Sequence, residues 1–233
     1  MGDAIGQLPG AGKPATAPRS CDRFDAEPAQ SASALLQLPR RHGRIGQTPL
    51  DSMSKPVLFI IAHPNINVSR ANRHLAAVAR GVEGVLVHDI YDTYPDMFIN
   101  GARERRLLEE TGALVLQFPF FWYGAPGLLK EWIDRTFIAG WAYGRNGRSL
   151  GGKPLLVSIS TGSGINAYRP GGIHNQPIEE YLFPFEQIAH FCGMVWQPPL
   201  VFYRARYADD SMLGEHSDRL RARLKALESG AVF

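Results

Sequence analysis

His63, Ser69, Arg70 and Asn72 fall within a ten-residue stretch that contains no carboxylate: His63-Pro64-Asn65-Ile66-Asn67-Val68-Ser69-Arg70-Ala71-Asn72. An apolar run precedes it and a helix-like pattern follows. At such a junction the free N–H groups of the first helical turn, with the positive end of the helix dipole, favour a phosphate. Ser69 and Asn72 can add side-chain donors, and His63 and Arg70 can add positive charge. A plainer reading stands beside this one, with Ser69 as a helix N-cap and Asn65 and Asn67 as turn formers. The stretch does not match G-x-G-x-x-G, which disfavours a dinucleotide fold of that type.

A second stretch, Gln117-Phe118-Pro119-Phe120-Phe121-Trp122-Tyr123-Gly124-Ala125-Pro126, is rich in aromatics. Phe118 reads as core. The cluster after it would be costly on an open surface. Pro119, Phe120, Phe121, Trp122 and Tyr123 offer apolar walls and backbone donors for a flat tricyclic ring, and Trp122 and Tyr123 suit a second aromatic stacked on the first. A third stretch, Ser160-Thr161-Gly162-Ser163-Gly164, is followed by Tyr168 and His174. Its small residues let the backbone approach a ligand closely. Tyr168 and His174 are suited to managing negative charge there, or else they pack the loop.

Two other patterns lead nowhere. Gly147 to Lys153 resembles a Walker A loop, but Pro154 replaces the Ser/Thr and the stretch precedes a strand. The seven histidines show no metal-ligand spacing, so no metal is expected, and Cys192 reads as a buried thiol at a helix end.

The elements that must position these stretches alternate. Apolar runs at residues 57–62, 85–88, 113–118, 155–160 and 195–203 are separated by helical patterns near 69–80, 102–110, 126–137 and 178–191, with a last helix at 211–227. Near-continuous apolar strands joined by helices mean a parallel sheet covered on both faces. The expected class is α/β, a five-stranded parallel sheet of flavodoxin-like order 2-1-3-4-5. Ligands of such sheets bind beyond the carboxyl ends of the strands at the switch in strand order, where the three stretches fall.

Composition bounds the rest. The 233 residues are 45% hydrophobic and 20% charged, an ordinary globular balance. A net charge of +3 is too small to argue for nucleic acid, and is compatible with small anionic ligands. Two cysteines cannot build a disulfide framework, so a reducing, cytoplasmic compartment is the expectation. The longest apolar run is far short of the roughly 20 residues a membrane-spanning helix needs. Residues 1–53 hold six prolines and one aromatic, Phe24, without sustained periodicity. They read as a disordered tail before a domain at 54–233, and Met53 is a candidate start.

Together the three stretches resemble the NAD(P)H:quinone oxidoreductase family of flavodoxin-like fold. The nearest likeness is to the bacterial branch containing the ancillary subunit of glutathione-gated potassium efflux systems. The likeness also rests on Tyr94-Pro95-Asp96, Leu128-Leu129-Lys130-Glu131-Trp132-Ile133-Asp134, Gly140-Trp141-Ala142-Tyr143-Gly144, Gly172-Ile173-His174 and His190-Phe191-Cys192-Gly193, and spans residues 56–227. It implies a flavin, FMN or FAD, with FMN favoured because the loop from His63 through Asn72 accounts for a terminal phosphate. Pro119 to Tyr123 and Ser160, Thr161, Gly162 and Ser163 would frame the ring. Tyr168 and His174 would stabilise charge at its pyrimidine edge as NAD(P)H delivers hydride, before a quinone or related electrophile takes two electrons in a ping-pong reaction. It also implies a homodimer with the site at the subunit interface.

The chain departs from the family pattern in four places. Asn100 stands where the branch often has Asp, Gly112-Ala113 replaces Ala-Asp, Ser163 replaces a glycine, and Phe120-Phe121 replaces a Leu-Gln type of pair. Two other functions compete. One is a regulatory subunit docked on a potassium-efflux antiporter at the inner face of the plasma membrane. The other is a one-electron flavodoxin carrier, though such carriers are usually strongly acidic, unlike this chain.

Overall fold

Every residue of β1 (Val57–Ile61), β3 (Ala113–Pro119) and β4 (Pro154–Ser160) is buried, as strands covered on both faces must be. In this computed structural model, which describes residues 55–232, these form the centre of one parallel sheet of order β2-β1-β3-β4-β5. The edges, β2 (Val85–Asp89) and β5 (Val195–Phe202), are only partly buried, which is where the expectation of continuous burial fails. The tail expected at residues 1–53 lies outside the described residues.

Side chains alternate across each strand, so β1 feeds two cores. Val57, Phe59 and Ile61 meet α1 (Arg70–Arg80) and α6 (Asp210–Glu228). Leu58 and Ile60 meet the other face, covered by α3 (Gly101–Glu110), α4 (Gly127–Thr136) and α5 (Ile178–Phe191). A four-residue helix, α2 (Ile90–Thr93), was not expected; Asp89 caps it by accepting from the N–H groups of Tyr91 and Asp92.

Two of the sequence departures have local explanations. Asn100 caps α3 by accepting from Arg103 N, a task Asp performs equally well. Gly112 is required by space, since a Cβ there would sit 2.9 Å from the Lys55 carbonyl. Lys153, from the Walker-like stretch, is buried at the amino end of β4 and donates to the Thr111 carbonyl, away from the strands' carboxyl ends. Cys192 is buried at the end of α5. Among the described residues no helix is long and apolar enough to cross a membrane.

Candidate functional site

The loop after β1 folds into a short 3-10 turn and delivers Ser69 as N-cap of α1. Ser69 Oγ accepts from the backbone N–H of Asn72, so the plainer capping role is real. Its hydroxyl proton remains available, and the N–H groups of Arg70 and Ala71 lack intrahelical acceptors, as in the first turn of any helix. Ala71 is otherwise buried against the sheet. The loop therefore offers backbone donors and one hydroxyl.

Three side chains there have partners within the protein. Burial lowers the pKa of His63 more than Asp89 raises it, and its Nδ1 accepts from Asn65 N–H, so it is a neutral wall and not a cation at pH 7. Arg70 already donates to the Ala208 carbonyl and the Asp210 carboxylate. Asn72 is 3% exposed and turned inward. Its Nδ2 donates to Ser69 Oγ (3.0 Å) and Ser160 Oγ (2.9 Å), and its Oδ1 accepts from Gln117 Nε2 (2.8 Å). With both donors engaged, Asn72 ties the loops after β1 and β4 to β3. Ser160 is the other end of that tie.

After Pro119, Phe120 N donates to the Ser160 carbonyl (2.8 Å), which holds two of the loops together. Phe121 and Gly124 then exchange backbone hydrogen bonds of 3.1 and 3.0 Å around a two-residue turn. Trp122 and Tyr123 sit in that turn at φ 46° and 64°, left-handed positions normally taken by Asn or Gly. Such conformations cost on the order of 1–3 kcal/mol each and cluster at functional sites. The aromatics are not hidden, contrary to expectation, because Trp122 is 95% and Tyr123 50% exposed. Phe118 is core, as expected.

The loop after β4 faces this turn across a cleft of about 230 Å³ bounded by Phe120, Tyr123, Gly162, Tyr168 and His174. A Cβ on Gly162 would meet nothing within 4 Å, so the glycine keeps the cleft open. Thr161 is fixed by its N–H to the Phe202 carbonyl and its hydroxyl to the Ser163 carbonyl. The N–H groups of Trp122, Tyr123, Gly162 and Ser163 find no acceptor among the described residues. Four unpaired donors on two facing loops suit the carbonyl and ring-nitrogen edge of a planar heterocycle.

Tyr168 and His174 are brought together, stacked with ring centroids 4.3 Å apart. Burial pushes the Tyr168 phenol above its ordinary pKa despite the neighbouring Thr161 and Ser163 hydroxyls, so it keeps its proton at neutral pH. His174 is held on every side. Its Nε2 shares a 2.8 Å hydrogen bond with Ser163 Oγ and its Nδ1 lies 3.4 Å from the Tyr123 hydroxyl. Its carbonyl accepts from the Tyr181 hydroxyl, and the Tyr181 ring stacks on Tyr123 at 5.1 Å. Tyr181 on α5 and the buried Gln117 were missed as site residues. Gln117 carried a signal, a polar residue inside an apolar strand; Tyr181 carried none.

A family profile described as flavodoxin-like fold matches residues 55–224. The chain is 44% identical over 167 residues to the glutathione-regulated potassium-efflux system ancillary protein KefG of Serratia proteamaculans, covering 71% of this chain and 91% of that protein. Among solved structures it resembles general stress protein 14 of Treponema denticola in complex with FMN, at 34% identity and TM-score 0.71, covering 74% of this chain and 99% of that one. It also resembles an NADPH-quinone reductase from P. pentosaceus, at 28% identity and TM-score 0.67, covering 72% and 97%.

Proposed function

The chain belongs to the flavodoxin-like fold family, and from that premise we propose that it is a flavin-dependent NAD(P)H:quinone oxidoreductase using FMN. The observation that carries this reading is the convergence of four unpaired backbone donors and the Tyr168–His174 stack on one cleft. The residues present fit a flavin mononucleotide. The donors match the ring's polar edge, and the first turn of α1 with Ser69 matches its terminal phosphate. The T. denticola relative with FMN supports the same choice.

When bound, the flavin supplies hydride acceptance from NAD(P)H and two-electron delivery to a quinone or related electrophile. The protein binds, orients and stabilises. Phe120 and Tyr123 would wall the ring, and the hydroxyl of Tyr168 with the imidazole of His174 would stabilise negative charge at its pyrimidine edge. Preorganised donors in a cleft act without reorganisation as charge develops, which is why their fixed geometry matters. The purified protein should be yellow, release FMN on denaturation, and oxidise NADPH steadily with menadione. A colourless preparation that takes up no flavin when soaked would overturn the assignment.

Ser163, in place of the glycine seen in the resembling family, bears on this chemistry because its hydroxyl holds His174 Nε2. A hydrogen bond of this kind is worth about 0.5–1.5 kcal/mol. Ser163→Gly is therefore expected to slow flavin reduction roughly threefold to tenfold and to alter its pH profile, with flavin affinity unchanged. Equal rates and profiles in the two proteins would remove Ser163 from the mechanism.

Trp122, which lines the cleft, and Ile173, next to His174, are 95% and 84% exposed. A second copy would cover them in the homodimer of this reading, with the site at the subunit interface, and a molar mass of one chain in solution would remove that part of it. The Serratia relative favours a further role, as a cytoplasmic subunit docking peripherally on a potassium-efflux antiporter. Co-purification with such an antiporter tests it.

A further inference from the structure

Helices α1 and α6 lie side by side on one face of the sheet, and both begin at its carboxyl edge. Neighbouring helices ordinarily interlock apolar side chains along their line of contact. Along their amino-terminal halves the facing side chains are mostly polar, with Ala77 and Leu213 the apolar exceptions. From α1 the facing stripe is Arg70, Arg73, His74 and Ala77, spaced i, i+3, i+4, i+7. From α6 it includes Asp210, Gly214, Ser217 and Arg221, again one helical face. Between them lies an open cavity of about 600 Å³, within the roughly 300–1,000 Å³ range of small-molecule sites.

The walls are basic. Three guanidinium groups line the groove beside one lining carboxylate, Asp210, while Asp218 pairs with Arg221 from outside it. Each is anchored without being exhausted. Arg70 donates to the Ala208 carbonyl and Asp210, Arg73 to the Asn67 carbonyl (3.2 Å), and Arg221 to Asp218 (2.8 Å). A guanidinium carries five N–H donors in a fixed fork, so donors remain on all three. His74 Nε2 and Ser217 Oγ share a 2.9 Å hydrogen bond across the two helices. Gly214 sits inside α6, where glycine costs about 1 kcal/mol relative to alanine. A Cβ there would meet nothing within 4 Å, so the glycine keeps the groove deep.

We propose that this groove is a second binding site, for a small molecule carrying adjacent phosphate groups. Arginine forks match phosphate oxygens in a bidentate way, and several of them around one concavity suit a ligand with charges side by side. The positive ends of both helix dipoles lie at the same end of the groove and add to the field. Recognition rests on charge and not on stacking, because no Phe, Tyr or Trp side chain lines the groove.

Isothermal titration of sodium pyrophosphate into FMN-saturated protein tests this, since FMN fills the phosphate loop at the start of α1. One binding event is expected, weakening steeply with salt. Gly214→Leu leaves every charge in place, favours the helix and fills the groove; it should weaken binding at least tenfold with no loss of thermal stability. Arg73→Gln combined with Arg221→Gln should do likewise. Absence of binding, or equal affinity in Gly214→Leu, would overturn the proposal. The groove shares no residue with the ring cleft, so a protein that takes up no flavin but binds pyrophosphate in a manner abolished by Gly214→Leu keeps this inference and loses the functional one.

Discussion

Replacing Glu104 by glutamine is expected to destabilise the fold by about 3–5 kcal/mol, the usual consequence of breaking a buried, hydrogen-bonded charge network. Glu104 is fully buried on α3. Its carboxylate accepts from His88 Nε2 of β2 (2.9 Å), Trp132 Nε1 of α4 (2.8 Å) and the Tyr94 hydroxyl. Glutamine keeps the size but turns one acceptor into a donor aimed at donors. Burial alone would raise the carboxyl pKa, and the hydrogen bonds from His88, Tyr94 and Trp132 outweigh it, so the folded value is lowered below 4.5. The sign follows from that. The contribution is fully present above the unfolded value near 4.5 and is lost as pH falls through the lower folded value. Urea unfolding at pH 7 should show the full loss in Glu104→Gln, with Tm lower by roughly 10 °C. The gap between the two proteins should narrow at acid pH. A difference under about 1 kcal/mol at pH 7 would show that the network is dispensable. Because α4 begins just after the aromatic turn, loosening Trp132 should also lower flavin occupancy.

That network illustrates what the sequence does not disclose. The helix around Glu104 reads as amphipathic with a polar face, and nothing local marks one glutamate as buried. Its donors come from 16, 10 and 28 residues away and meet only when β2, α2 and α4 have docked. The sheet was legible for the opposite reason. The three central strands are apolar at nearly every position, and that pattern has one stable use, burial on both faces. The candidate site was half legible. Loops rich in small and aromatic residues after particular strands are a local feature, and the sheet order fixes where they converge. The state of individual side chains is not local. His63 became neutral through burial, and Asn72 turned inward because Gln117 and Ser160 lie within reach. The left-handed backbone at Trp122 and Tyr123 defeats propensity altogether, since neither residue favours it.

Replacing His174 by alanine is expected to slow reduction of the bound flavin by NADPH roughly a hundredfold or more, the scale of losing one charge-stabilising donor, about 3–4 kcal/mol. Much of the surrounding structure is devoted to this imidazole. Ser163 Oγ and the Tyr123 hydroxyl address its two nitrogens, Tyr168 stacks on its face, and Tyr181 fixes its backbone carbonyl. A side chain so constrained acts with its partners, Ser163 Oγ and the Tyr123 hydroxyl, as one preset polar group and not as packing, whose loss would spread over binding and stability. Stopped-flow measurement separates the two. If His174 stabilises developing charge, the alanine variant loses rate at saturating NADPH while FMN affinity and Tm change little. Tyr168→Phe should lose rate in the same way, and the double variant should lose less than the product of the two effects, because the residues act as a stacked pair on one edge of the ring. An unchanged reduction rate in His174→Ala would mean that charge is stabilised by the backbone donors alone, and the side-chain half of the site would have to be reassigned.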